Sequence, residues 1–596
     1  MSGLPIGVYL GICGPIECTE DDYNSMDAYL ARLGNQILDD LDIQQAYFQQ
    51  DLTEDNFNFY DSVKQNHEVR KWSTGHFVSF GIGLFLVLCV LLATLFEIIQ
   101  IARYSAVNSL GVNEEQSQRF QCAKKFLNAF RLLENSKKLL FARNKEGDKN
   151  LELLNGLRVI SMFWIILGHT YFYGMDTALL NPLVPIDFIQ SFSFNLVSSA
   201  PYAVDIFFWL SGFLGVYIML AAMKKKRGRM QPFYMIYLHR YLRIVPLYAV
   251  TMLFFWYLMS SVGSGPIFFL YYKERAVHCE NTWWVHFIFL NNFYEIKENA
   301  NACMGWTWYL PNDFQFFLLI PLLVFLLYHK RIFGMIFIIT YQIVCFAVTI
   351  FVAYEYNLRP SYLEATDNYY TLYYHRPYIR IPPFTIGVMA ALFLYCFKNE
   401  EPEVSPIKRI MDRIYASRII RFILYIVGLI LVLGMIFIFY PINNYPDDFS
   451  DFFNVMFLTF SRALFILGMT MILLPGLMGR AWVIRSFLAL DMWTPLARLT
   501  FGAYLIHPTY MIFNSLNTYK GEYMTTNTGI VKFLCWAVVS FATSLAFTLV
   551  VETPFMLLEK TFLLGGGKKS KKSSKVSLKG ITSSINKLKN FYIEEN

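Results

Sequence analysis

At 596 residues the chain could hold several soluble domains of roughly 100–200 residues each, but its composition excludes that organisation. Apolar residues make up 55%, charged residues 16%, and the mean hydropathy is +0.38, against roughly 45–50% apolar and 25% charged in an average soluble domain. With 56 Phe and 39 Tyr crowded into long uncharged blocks, a disordered chain, a fibrous repeat, a small disulfide scaffold and a nucleic-acid binder are all excluded, and an all-α, multi-pass integral membrane protein is expected.

In chain order, residues 1–76 read as an outer-side N-terminal segment, 77–101 as a first transmembrane helix, and 102–150 as a cytosolic linker. A membrane domain over 151–560 follows, then a basic, disordered tail over 561–596. A spanning helix needs about 20 mostly apolar residues, and eleven blocks qualify: 77–101, 157–174, 202–223, 243–262, 314–328, 332–354, 381–397, 422–440, 453–474, 499–515 and 533–550. The short block 283–290 reads as an interfacial or re-entrant piece. The formal net charge of +7 owes much to the tail, where Lys568, Lys569, Lys571 and Lys572 follow a hinge of Gly565, Gly566 and Gly567. Such a tail is read as solvated and touching anionic lipid headgroups, the rival being a dedicated receptor or lipid signal.

Lys and Arg concentrate on the cytosolic side of membrane proteins. With the N-terminus outside and eleven spans, most of the 51 Lys and Arg residues fall inside, including Lys224-Lys225-Lys226-Arg227 and the C-terminal lysines. The same orientation puts Cys13, Cys18, Cys279 and Cys303 outside, an even number of the kind an oxidising compartment favours. Two bridges, Cys13–Cys18 and Cys279–Cys303, are expected, with four unpaired thiols as the alternative. No group of Cys and His has zinc-finger spacing, and no metal is expected. The start Met1-Ser2-Gly3-Leu4-Pro5 lacks a basic, apolar leader, and no N-x-[ST] sequon occurs anywhere. Both features argue against a long-lived cell-surface location. An endomembrane or plasma membrane is expected, the mitochondrial inner membrane being the alternative.

Ionisable groups inside apolar spans are functional candidates by default. Arg158 and His169 are eleven residues apart in the second span. At about 100° and 1.5 Å per residue they share one helix face, roughly 16 Å apart along the axis. The arginine stands at the cytosolic mouth and the histidine lies well inside. One reading makes Arg158 a positive-inside anchor and His169 a bond to a neighbouring helix. The other makes His169 a general base and Arg158 the contact for an anionic cosubstrate. Asp205, about one turn into the third span, could orient the imidazole or pair with a buried arginine such as Arg462.

These residues sit within runs that resemble the acyltransferase-3 family, and more closely its nose-resistant-to-fluoxetine branch. The runs are Arg158-x10-His169, then Asp205-Ile206-Phe207-Phe208-Trp209-Leu210-Ser211-Gly212-Phe213, then Arg240-Tyr241-Leu242-Arg243-Ile244-Val245-Pro246. Further along come Trp306-Thr307-Trp308-Tyr309-Leu310-x2-Asp313, Arg380-x-Pro382-Pro383-Phe384-x2-Gly387, Leu499 through Pro508 with His507, and Val551-Glu552-Thr553-Pro554-Phe555. The matches run in register over roughly residues 150–560. The branch also carries an extracellular domain ending in a Cys motif, which the run from Val8 to Cys18 resembles. Residues 1–76 are therefore read as a remnant, the rest of that domain and its signal peptide falling outside the sequence.

The resemblance implies a ten-helix core, preceded here by one N-terminal span, and transfer of an acyl group from acyl-CoA to a hydroxyl or amine of a lipid, glycan or other acceptor. It assigns donor binding to Arg158 and the chemistry to His169, with Asp205 beside them. Arg240, Arg243, Trp308, Tyr309, Asp313 and His507 become substrate-binding candidates. Acyl-CoA is the cosubstrate, membrane lipids and other membrane subunits are the expected partners, and no tightly bound cofactor is expected. Two rivals stand: a transferase-like structural subunit of a larger membrane complex, and a lipid or small-molecule transporter.

Overall fold

A computed structural model describes residues 72–562, apart from 111–125, 142–149, 176–178, 266, 295–302, 367, 404 and 481. Cys13, Cys18, nearly all of the N-terminal segment and the lysine tail lie outside the described residues. Among those that are described, every named element is a helix. Hydrocarbon offers no partner to a backbone N–H or C=O, so an apolar block buried in it must satisfy its own backbone, and a helix does so.

Eleven long helices carry the fold. They are α1 Thr74–Leu110, α2 Leu153–Gly174, α3 Pro201–Lys225, α4 Phe233–Leu253, α5 Tyr309–His329 and α6 Arg331–Glu355. The series continues with α7 Pro377–Asn399, α8 Arg418–Phe437, α9 Asp451–Leu477, α10 Trp493–Leu516 and α11 Thr526–Phe547. Local chemistry starts several of them. The hydroxyls of Ser417 and Ser450 accept the N–H groups of Ile420 and Phe453, Thr525 and Thr528 form a reciprocal capping box, and Pro201 stands in the first turn of α3.

Ten stretches in the described residues are long and apolar enough to cross a membrane. The expected eleventh, α10, has the length at 24 residues, but Arg498, His507 and Asn514 make it more polar. It packs against α2 and α11 instead of facing lipid. Several boundaries differ from expectation, among them the end of α1 and the starts of α10 and α11, and two of them bear on the site. Helix α4 begins at Phe233 rather than near residue 243, which places Arg240 and Arg243 inside it; α5 begins at Tyr309 rather than near 314. In both cases aromatic residues continue the helix past the polar group at which an apolar count stops. The block around 283–290 forms the nine-residue helix Cys279–Phe287, too short to span.

Two buried clusters organise the bundle, the first mainly from α1, α2, α4, α10 and α11, the second mainly from α3 and α5 to α9. Trp164, Val204, Phe207 and Tyr309 pack against both and form the seam. Helix α7 lies at the centre of the second half: 83% of its most apolar window is buried, against 17% for α6 and α8, which face lipid. On the side where α4 ends and α5 begins, Cys279 and Cys303 are bridged with Cα atoms 4.6 Å apart, as expected from the sequence.

Helices α3 and α7 meet through two glycines. A Cβ on Gly212 would lie 2.4 Å from the Phe384 carbonyl oxygen, and one on Gly387 would lie 2.3 Å from that of Trp209. Small residues let helix backbones approach in a membrane, where packing rather than water expulsion drives association. Because the obstacle is backbone, Gly387→Ala should destabilise by about 1–3 kcal/mol, read as a lower midpoint in heating followed by gel filtration. Gly434, whose Cβ would meet nothing within 4 Å, is the control: Gly434→Ala should leave the midpoint unchanged or raise it.

Candidate active site

The two halves of the bundle bring His169 of α2 against His507 of α10. His169 Nδ1 and His507 Nε2 are 2.8 Å apart, with the ring planes inclined by only 14°. Pro508 has no N–H, so the Tyr504 carbonyl four residues back lacks its ladder donor. The other nitrogen of His507, Nδ1, lies 2.9 Å from the Ala503 carbonyl oxygen. A carbonyl only accepts, so His507 carries its proton on Nδ1 and its Nε2 must accept from His169 Nδ1–H. The remaining nitrogen of His169, Nε2, then bears a lone pair. It has no hydrogen-bond partner among the described residues, and the side chain is only partly buried. Two imidazoles and one carbonyl thereby fix a tautomer in which His169 can take a proton.

Aromatic residues wall this pair. Tyr173 meets the His169 ring edge-on at 5.4 Å, and Tyr504 lies 6.4 Å from His507. The Tyr504 hydroxyl donates to the Trp306 carbonyl at 2.8 Å, and Trp306 Nε1 donates to the Leu505 carbonyl at 3.2 Å. These bonds tie the entry of α5 to α10.

Arg158 stands three turns from His169 on α2, with Arg243 of α4 and Tyr309 of α5 as its electrostatic neighbours. Arg243 is exposed and has Glu552 within electrostatic range. Among the described residues neither arginine is hydrogen-bonded to a carboxylate. Tyr309, edge-on to Tyr504 at 5.7 Å, connects the arginines to the histidine wall. Two guanidinium groups converging without a bonded carboxylate make an electropositive approach that an anion would satisfy.

The other candidates divide. Arg240 is bound to Asp313, lies 3.5 Å from Ser211 Oγ and covers the Phe317 ring at 4.1 Å, so this pair braces α4 on α5. Trp308 is buried and lies under the Arg380 guanidinium at 4.5 Å. Of its two readings from the sequence, Asp205 takes the pairing with a buried arginine such as Arg462 and does not meet His169, which corrects the orienting role. Both of its oxygens are taken, one by Arg380 Nη1 at 2.9 Å and the other by Arg462 Nη1 at 2.8 Å. The partner of His169 is His507, which the sequence reading placed only among substrate contacts. One signal could have found Arg380: Asp205 and Arg462 are ionisable groups inside apolar spans, Arg380 stands one residue before the span 381–397, and such groups pair in hydrocarbon.

Residues 151–552, which hold all of these side chains, match the acyltransferase domain that defines the acyltransferase-3 family, and the chain belongs to that family. It is 28% identical over 459 residues to the nose resistant to fluoxetine protein 6 of Caenorhabditis elegans, covering 73% of this chain and 54% of that protein. It is also 24% identical over 448 residues to the regulator of hypoxia-inducible factor 1 of the same worm, covering 69% of this chain and 80% of that protein. The chain thus spans about half the length of the first of these relatives. No solved structure matches. The resemblance read from the motifs, to the nose-resistant-to-fluoxetine branch, is borne out.

Proposed function

We propose that the chain transfers an acyl group from acyl-CoA to a hydroxyl or amine acceptor, with His169 as general base and Arg158 and Arg243 holding the donor's phosphates. The observation that carries this reading is the chain from His169 through His507 to the Ala503 carbonyl, which leaves a lone pair on His169 Nε2. In the reaction, His169 Nε2 accepts the acceptor's O–H or N–H proton as the oxygen or nitrogen attacks the thioester carbonyl. The new bond to the carbonyl carbon forms, the C–S bond breaks, and the thiolate leaves with the proton that His169 returns. His507 acts through His169 as a positioning residue and touches neither substrate.

The test is release of free thiol from acyl-CoA by the purified protein in lipid vesicles, with an acceptor-containing lipid extract present or absent. Acceptor-dependent release is expected; release that persists unchanged without acceptor would reduce the activity to hydrolysis. A second expected result concerns His507→Gln. A glutamine can still accept from His169 Nδ1–H through its amide oxygen, so this variant should keep more activity than His507→Leu, with the loss in kcat and little change in KM for acyl-CoA. Equal losses in the two variants would assign His507 a packing role alone.

A further inference from the structure

Away from the histidine pair, α3, α7 and α9 enclose a second charged centre. Arg380 and Asp205 are fully buried and Arg462 is 5% exposed. Two guanidinium groups share a single carboxylate, which leaves one positive charge unmatched in a low-dielectric interior, where isolated charge is costly. Among the described residues no second carboxylate is paired with either guanidinium. Tyr202, Tyr362, Tyr369, Tyr373 and Tyr374 around the centre are phenols, which stay neutral near pH 7, and His375 can only add positive charge. The aromatic faces of Trp308 and Tyr374, each 4.5 Å from Arg380, offset part of the excess.

Two N–H donors of this centre, Arg462 Nε and Arg380 Nη2, are buried and have no acceptor. Arg462 also lines a small cavity with room for a single water-sized occupant, walled further by Ser461, Tyr202, Tyr362 and Tyr373. Its wall includes part of the π-helical turn Tyr369–Tyr374, a distortion common at functional sites. The orphaned Arg462 Nε, the excess of guanidinium over carboxylate behind it and the hydroxyl-bearing walls define the chemistry of an anion site, and the size of the cavity admits a halide-sized ion while excluding a phosphate or a sugar.

We infer that this cavity is a binding site for one monovalent inorganic anion of halide size, locking α3 and α9 to the π-helical turn Tyr369–Tyr374. It is separate from the histidine centre and does not depend on the transfer reading. The experiment follows unfolding of the purified full-length chain in detergent at constant sodium, with gluconate replaced stepwise by chloride or bromide. The midpoint should rise saturably with either halide. Arg462→Gln, which leaves the Asp205–Arg380 pair neutral, should weaken the apparent halide affinity about tenfold or more, as loss of a charge-assisted hydrogen bond would. Equal midpoints in chloride and gluconate would overturn the site, as would a folded Arg462→Gln that keeps the full response. Should that variant not fold, binding of radioactive chloride to the wild-type protein decides: one saturable ion per chain supports the site, and none overturns it.

Discussion

Replacing His169 by Ala should lower kcat by about 10²–10⁴, the usual range for loss of a general base, while leaving acyl-CoA binding nearly intact. The expectation follows from geometry. His169 presents Nε2 because its Nδ1 is held at 2.8 Å by His507, and the alanine removes the proton acceptor without touching Arg158 three turns away. Calorimetric binding of acyl-CoA beside single-turnover rates separates the two quantities, with gel filtration reporting the fold. A His169→Ala protein that turns over at the wild-type rate would end the mechanism, and one that loses binding to the same degree as turnover would make the histidine structural. An acyl-histidine intermediate gives ping-pong kinetics, whereas direct attack on the thioester gives a sequential pattern.

Arg158→Ala should behave in the opposite way, raising KM for acyl-CoA by about tenfold or more with a smaller change in kcat, since a charge-assisted contact made already in the ground state is removed. Arg158→Lys should recover only part of the loss, because an ammonium cannot offer a phosphate the planar fork of a guanidinium. Arg243→Ala should resemble Arg158→Ala, since the two side chains are neighbours, and their combined effect should depart from the sum of the single ones. Raising the salt concentration should weaken donor binding in the wild-type protein more than in either variant. Unchanged KM in all of these proteins would remove the arginines from the donor site.

Much of this was legible in the residues themselves. Apolar length marks the spanning helices because a segment buried in hydrocarbon must satisfy its own backbone, as a helix does; the pattern missed a helix shielded from lipid, α10, and set boundaries short where a helix ran on into more polar residues, as at α4, α5 and α11. The Arg158 and His169 face was readable because both lie on one helix, where angular spacing is set by the 3.6-residue turn. The bridge between Cys279 and Cys303 was readable as one of two expected pairings, from their common side of the membrane; Cys13 and Cys18 lie outside the described residues.

Pairings between helices were another matter. Asp205 had two readings in the sequence, a partner for His169 or for an arginine, and nothing along the chain could choose, since Arg380 and Arg462 lie 175 and 257 positions away. His507, 338 positions from His169, carried no mark distinguishing a substrate contact from a histidine's partner. Composition and hydropathy by themselves determined that this chain lives in a membrane as a helical bundle, because those properties act through solvent and need no distant contact. Which polar groups meet inside the bundle was decided only by the tertiary structure, because it depends on how the helices rotate and approach, down to the glycines that let α3 and α7 touch.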